Sequence, residues 1–312
     1  YHHIPVLLSE VLTVLNPEPG QLFVDATLGG GGYTTALLEH TAPEGRVLAF
    51  DLDQDAIDAF LSKIGDTSLA SRVSVAHHNF SAVAHVAAER GFGPIAGIVA
   101  DIGLSSYELD QAGRGISFQR DEPLDMRFDQ ASTEPTAAFL LAESSEAELA
   151  RIFRDYGEER FAPSIAQNIV RTRSSEPIAR TVQLVELIRQ SLPGRLRHTA
   201  HDSARRVFQA LRIAVNHELA NLEAFLPAAL DILAPGGVLA IVTFHSLEDR
   251  IVKQFFKTAA TGCVCPPEFP VCRCGSTARV EILTKRPITA GEQEQEANRR
   301  SLSAKLRAVR KV

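Results

Sequence analysis

The 312-residue chain has no tryptophan, one methionine and four cysteines, all four cysteines falling within residues 263–274. Cysteines confined to one short segment do not make a disulfide framework spread across a secreted fold, so a reducing, cytoplasmic setting is expected. No apolar run approaches the ~18 residues needed to cross a bilayer, and no membrane partner is expected. A signal-peptide pattern, internal repeats and low-complexity segments are also absent. Lysine is missing from residues 151–212, where twelve arginines stand against six acids. The net charge of −6 excludes a uniformly basic nucleic-acid binder and leaves charge distribution as the informative quantity.

Against these absences stand four consecutive glycines, Gly29–Gly32, between Leu22-Phe23-Val24-Asp25 and Tyr33-Thr34-Thr35-Ala36-Leu37-Leu38. An apolar strand, a turn without side chains and a helix start let a ligand touch backbone, and the helix N-terminus offers N–H groups. A second apolar run, Arg46-Val47-Leu48-Ala49-Phe50, ends on Asp51, nineteen residues after Gly32. An acid there can take both hydroxyls of a ribose, so a nucleoside cofactor is implied. The loop departs from the dinucleotide fingerprint, with Thr34 or Thr35 at its third glycine position. Asp25 suits a cofactor carrying an ammonium group, as S-adenosylmethionine does. The turn Pro235-Gly236-Gly237 before the apolar Val238–Val242 also resembles an element of methyltransferases that use it. Methyl transfer is favoured, and hydride transfer is the competing reading.

Strand-like runs recur at Leu22–Asp25, Arg46–Asp51, Val73–Ala76, Ile98–Asp101 and Val238–Phe244, with Val280–Thr284 as a late addition. Alternation with helical stretches predicts an α/β fold with a doubly wound parallel sheet. Ligands in such sheets bind at the carboxyl ends of the strands. That rule places Asp25, Asp51, His77-His78-Asn79-Phe80, Asp101 and Phe244-His245 along one rim. Between the fourth and fifth runs lies an interval too long for one crossover helix. It reads helical at Thr136–Leu141, Glu146–Tyr156, Glu159–Arg173, Thr181–Ser191 and Ala204–Leu233, the last with room for a break. The expected organisation is a discontinuous sheet domain, residues 1–105 and 214–312, with an inserted helical domain at 106–213. Arg171, Arg173, Arg205 and Arg206 in the insert suit phosphate, as does the tail from Ala297 to Val312 with its four arginines and two lysines. Local ion pairing on a helical surface is the competing reading.

Several motifs follow one another in order: His3-Ile4-Pro5-Val6-Leu7-Leu8-Ser9-Glu10, Asp25–Gly32, Asp101-Ile102-Gly103-Leu104-Ser105-Ser106 and Arg114-Gly115-Ile116-Ser117-Phe118. Pro123-Leu124-Asp125-Met126-Arg127, Tyr156-Gly157-Glu158-Glu159-Arg160-Phe161, Phe208–Asn216 and Phe244-His245-Ser246-Leu247-Glu248-Asp249-Arg250 complete the set. Over nearly its whole length the chain resembles the bacterial 16S ribosomal RNA (cytosine-N4)-methyltransferase family, RsmH or MraW. The resemblance implies a class I S-adenosylmethionine-dependent methyltransferase sheet, Rossmann-like, whose helical insert recognises substrate. It implies methylation of the exocyclic N4 amine of a cytidine in the decoding region of 16S rRNA, within the small ribosomal subunit. Cofactor contacts carry over to Gly31, Gly32 and Tyr33, to Asp51 on the ribose, and to Phe80, Asp101 and Glu108. Tyr33 stands where the family usually has histidine. Glu108 stands where it has glutamine, which removes amide donors and adds charge.

A cytosine amine is a poor nucleophile because its lone pair is delocalised, and an acceptor for its protons helps. Asp101 is the first candidate, with Ser105 supporting and His245 a second acceptor; Asp101 as a cofactor contact or helix cap is the competing reading. Ser246-Leu247-Glu248-Asp249 also reads as the start of a helix over Asp249–Thr258 with Ser246 as cap. Arg114, Arg127 and Arg160 either hold RNA or lock the insert, and Asp125 is assigned the locking role. No metal site is assigned: Cys263-x-Cys265 and Cys272-x-Cys274 suit zinc, free thiols or a disulfide, and C-x-C is tighter than the usual zinc knuckle. DNA, a small amine or a binding-only assembly role compete as readings. The helical surfaces are compatible with a homodimer.

Overall fold

The computed structural model describes residues 5–65, 67–103, 113–262 and 277–312. The expectations for Ser105, Glu108, Cys263, Cys265, Cys272 and Cys274 lie outside the described residues. The chain divides into two compact units, Tyr1–Leu104 with Ala220–Val312, and Ser105–Leu219.

The first unit is built on β1 (Leu22–Asp25), β2 (Arg46–Asp51), β3 (Val73–His77), β4 (Ile95–Asp101), β5 (Leu233–Thr243), β6 (Val280–Ile282) and β7 (Lys305–Lys311). Their order is β3-β2-β1-β4-β5-β7-β6. The first five strands run parallel, and β7 is antiparallel to both neighbours. This is the doubly wound sheet of the expected α/β fold, extended at one edge by the antiparallel β7 and β6. Successive strand residues point to opposite faces. Val24, Ile98 and Ile241 accordingly enter one apolar cluster, while their neighbours Phe23, Val99 and Val242 enter the other. In β2, Val47, Leu48, Ala49 and Phe50 are all fully buried, the continuous apolar run of a strand covered on both faces. Before and between the strands lie α1 (Leu8–Leu15), α2 (Gly32–His40), α3 (Gln54–Ile64) and α4 (Val83–Glu89).

The second unit contains α5 (Ala137–Glu143), α6 (Glu146–Asp155), α7 (Ala162–Arg173), α8 (Thr181–Ser191) and α9 (Ala200–Asn216). Phe153, Ile165, Ile169, Leu184, Ile188, Val207 and Leu211 recur at helical spacing and are buried. The helical stretch from Ala204 to Leu233, read with a break, is two helices, α9 and α10 (Glu218–Ile232), and the break falls at His217, which takes a left-handed φ of 52°. No described helix is long and apolar enough to cross a membrane.

Two corrections concern the sheet. β4 starts at Ile95 rather than Ile98, and Ile95 pairs with Leu233 before Ala234–Gly237 bulge out and Gly97 pairs with Val238. The basic tail is a strand. Lys305-Leu306-Arg307-Ala308-Val309 alternates charge with apolar side chains, and Leu306, Ala308 and Val309 are fully buried. Its charges are taken up by the fold. Arg307 lies 2.6 Å and Lys305 3.4 Å from the Asp249 carboxylate, Arg310 pairs with Glu281, and Lys311 donates to the carbonyls of Asp231 and Leu233. These contacts secure β7 and favour the local ion-pairing reading for these four residues.

Burial opposes ionisation of Asp249, but Arg307 and Lys305 hold its carboxyl below the usual range. A depressed acid contributes stability that is complete above the unfolded pKa and is lost as pH falls through the folded one. Asp249→Ala would leave Arg307, 8% exposed, without its carboxylate. Urea unfolding at neutral pH should show a loss of about 3 kcal/mol, shrinking at acid pH as the wild-type pair itself dissolves.

Candidate active site at the strand ends

Asp25 closes β1 and is fully buried. Its Oδ2 accepts a hydrogen bond from the Thr34 hydroxyl at 2.7 Å and its Oδ1 accepts the Thr27 N–H at 3.2 Å. Both oxygens thus take part in shaping the loop. Between these anchors the glycines make the turn into α2. Gly31 has φ +73°, and a Cβ there would lie 2.1 Å from the Phe60 ring. A Cβ on Gly32 would lie 2.1 Å from Pro5. Any side chain at Gly31 is therefore doubly penalised, by backbone strain and by collision.

Asp51 ends β2 beside the loop. Its Oδ2 accepts the Gly29 N–H at 2.7 Å and its Oδ1 accepts the Asp53 N–H at 2.9 Å. Burial raises its pKa despite these bonds. Phe80 begins a short turn after β3, capped by Asn79, and its half-buried ring meets Phe225 edge-on at 5.1 Å. Tyr33 turns its side chain away from the loop's open side: it is 4% exposed, and its hydroxyl donates to the Val6 carbonyl.

Asp101 ends β4. Its N–H donates to the Thr27 hydroxyl at 2.8 Å, while its carboxyl Oδ1 is buried with no hydrogen-bond partner among the described residues. Burial first, then the Asp25 and Glu248 carboxylates, push Asp101 up to about 7. Asp25 is likewise pushed to about 7, chiefly by burial. Buried acids without compensating cations are costly to ionise, and raised pKa values mark functional sites more often than structural ones.

His245 is the N-cap of α11 (Ser246–Ala260), which corrects the assignment of Ser246 as cap and Asp249 as first helical residue. Glu248 at the third helical position reaches back, its Oε2 accepting the N–H groups of Phe244 at 2.8 Å and His245 at 3.2 Å. His245 Nδ1 accepts the Glu248 N–H at 3.5 Å, and its Nε2 lies 2.9 Å from Glu248 Oε1. His245 thus serves the helix start and remains beside the rim. Sequence reasoning overlooked Thr27, Thr34 and Glu248; the signal for Glu248 was its place three residues after a cap candidate. A separate cavity of about 740 Å³, lined by Leu22, Arg46, Pro94 and Val238, opens where the strands begin, away from this rim.

A family model described as the MraW methylase family matches residues 1–312. The chain belongs to this family. It is 51% identical over 313 residues to the ribosomal RNA small subunit methyltransferase H of Heliobacterium modesticaldum, covering 100% of this chain and 99% of the relative. The proteins of the same name from Heliobacterium mobile and Geobacter sp. strain M21 are 49% and 48% identical, again over 100% of this chain and 99% of each relative.

The cofactor of an MraW methylase is S-adenosylmethionine. The rim fits it on its own terms. It holds the acids Asp25, Asp51 and Asp101, the buried Asp101 Oδ1 without a partner among the described residues, and a turn of glycines before a helix start, against the sulfonium, ammonium and carboxylate of that molecule. Several other motifs turn out to stitch the helical unit. Arg127 makes a two-point ion pair with Asp125, both contacts 2.8 Å, and donates to the Ser132 carbonyl. Asn216 accepts the Phe128 N–H and donates to the Met126 carbonyl, both at 2.8 Å. Buried Arg114 donates to the Phe128 carbonyl, and buried Glu159 pairs with Arg206 at 2.7 Å. Arg160 lies over the Phe161 ring.

An acid with a raised folded pKa contributes stability that is complete below its unfolded pKa and lost as pH rises through the folded one, here from about 4 to about 7. Asp101→Asn removes one such group. Its melting temperature should therefore fall less than the wild type's between about pH 5 and pH 8. Parallel curves would show that Asp101 ionises at its ordinary pKa.

Proposed function

We propose that the chain methylates the exocyclic N4 amine of a cytidine in the decoding region of 16S rRNA, within the small ribosomal subunit. The observation that carries this reading is the Asp101 Oδ1 at the end of β4, which has no partner among the described residues and lies on the same rim as the glycine loop and Asp51. Its relatives, named ribosomal RNA small subunit methyltransferase H, supply the substrate class.

S-adenosylmethionine supplies the electrophilic methyl group when bound. Gly31 and Gly32 present backbone, and Asp51 offers carboxylate lone pairs to ribose hydroxyls. Asp101 Oδ1 accepts a hydrogen bond from an amino proton of the cytosine, which draws the nitrogen lone pair out of the ring and orients it. With its carboxyl held near 7, Asp101 is substantially ionised at neutral pH and competent as that acceptor. His245, bound up in the helix cap, is the weaker candidate, and Ser105 and Glu108 retain the roles that the resemblance implies. A base reached this way must be unstacked first.

RNA contact is assigned to the helical unit, with one revision. Arg171 donates to Asn168, Arg173 to the carbonyls of Leu141 and Ser144, and Arg206 to Glu159. Neutralising these would loosen the unit itself. Arg195, Arg197 and Arg205 are exposed, close together in sequence, and near His201, whose ring packs edge-on to Phe118 at 5.0 Å. A cationic surface with aromatic rings suits single-stranded RNA.

Methyl transfer from labelled S-adenosylmethionine to small subunits lacking the modification, followed by nucleoside analysis, should yield N4-methylcytidine. A different methylated nucleoside would overturn the N4 assignment. Asp101→Asn should slow the reaction by about a hundredfold, with cofactor affinity changed far less. Replacing Arg195, Arg197 and Arg205 with glutamine should weaken RNA binding and flatten its salt dependence by roughly 0.7 log unit per lost phosphate contact; unchanged affinity would move the RNA site elsewhere.

A further inference from the structure

Three consecutive residues ahead of α1 are pinned at the glycine loop, and two of the pins come from the first turn of α2. Pro5 lies against Gly32, where a Cβ would meet its ring at 2.1 Å. The Val6 carbonyl accepts the Tyr33 hydroxyl. The Leu7 N–H donates to Glu294 Oε1 at 2.7 Å, from α12 (Glu292–Ala297). Leu7 is fully buried with φ +57°, a conformation that a leucine adopts only when its surroundings dictate it. Burial, with the Asp101 and Asp25 carboxylates, pushes the Tyr33 phenol well above its usual value, so the hydroxyl keeps its proton and stays a donor. The loop is therefore clamped, with Phe60 against Gly31 on one side and Pro5 against Gly32 on the other. The N-cap Gly31 provides no side chain to cap α2, so packing adds to the hydrogen bonds of Asp25 and Asp51 in fixing this turn.

We propose that Tyr33 is a positioning residue for the S-adenosylmethionine site: its hydroxyl latches Pro5–Leu7 across the first turn of α2 and so holds Gly31 and Gly32 in the conformation that the cofactor meets. The inference rests on the reading of these glycines as cofactor contacts. It gives a physical role to a tyrosine that stands where the resembled family usually has histidine, and that role runs through a backbone carbonyl rather than through the cofactor. Glu294 works from the other end of the chain by holding the next residue of the same strap.

The test combines calorimetric titration of S-adenosylmethionine with amide hydrogen exchange, on the full-length wild type and on Tyr33→Phe, Glu294→Ala and Glu294→Gln. In the wild type, cofactor should slow exchange across residues 29–35. Tyr33→Phe should bind the cofactor roughly tenfold more weakly, about the effect of one hydrogen bond, and exchange faster at residues 6–8 and 31–35 without it. Glu294→Ala, which leaves the loop's own residues intact, should shift both readouts the same way, and Glu294→Gln, which keeps an acceptor, should restore them. Should Tyr33→Phe fail to fold, the two Glu294 variants carry the test. Wild-type affinity in both Tyr33→Phe and Glu294→Ala would overturn the latch, as would faster exchange confined to residues 6–8. Cofactor binding by the wild type without protection of residues 29–35 would overturn the reading of the loop, and the latch with it.

Discussion

The buried carboxyl of Asp25 sets the geometry of the rim. Placing an acid in the interior costs several kcal/mol unless it is bonded, and among the described residues Asp25 is bonded to its own neighbourhood: the Thr34 hydroxyl from α2 and the Thr27 N–H from the loop. Those bonds fix where β1 stops and where α2 starts, so the glycines have one path between them. Thr27 extends the constraint by accepting the Asp101 N–H, which ties the end of β4 to the same loop. Two strand ends, a helix start and a candidate acceptor are thereby registered to one another through three side chains.

The same logic of local satisfaction explains the helical unit. Its arginines suggest a phosphate-binding surface when read as a composition, but most of those with long-range contacts serve the backbone. Arg173 closes the end of α5 by binding the Leu141 and Ser144 carbonyls, and Arg206 neutralises a glutamate that is 1% exposed. Arginine suits such work because its planar fork can satisfy two acceptors while its charge offsets a buried acid. Composition alone cannot separate an arginine that meets a carbonyl from one that meets solvent, since the partner lies 29–47 residues away.

Legibility in the sequence followed burial. β1 and β2 were readable because strands covered on both faces must be apolar without interruption, and Phe23-Val24 and Val47–Phe50 are. The start of β4 was hidden by Ala96-Gly97, whose small side chains dilute the apolar signal although Gly97 pairs with both neighbours. β7 was hidden more thoroughly. A strand in which lysine and arginine alternate with leucine, alanine and valine looks like a basic surface until Asp249, 56 and 58 residues earlier, is seen to neutralise it. The rim acids were found at Asp51 and Asp101 because each ends an apolar run. Glu248 and Thr27 were not, because their importance lies in what they hold rather than in where a strand stops. The cap of α11 was misplaced by one residue because serine is the commoner cap, whereas the reach of Glu248 to the His245 N–H selects the histidine.

The net charge of −6 conceals two opposed arrangements, and the burial of each gives it its character. Exposed arginines on the helical unit sit in water and act through screened, additive attraction. The rim acids sit where water is scarce, so each raises the pKa of the next: Asp51 acts on Asp25, and Asp25 and Glu248 act on Asp101. A carboxyl at its ordinary pKa would be ionised whether or not anything approached it. One held near 7 by burial and by like charge is brought down by any cation that settles beside it. The desolvation that makes Asp101 unfavourable for the fold is therefore what makes its protonation responsive to positive charge at the rim.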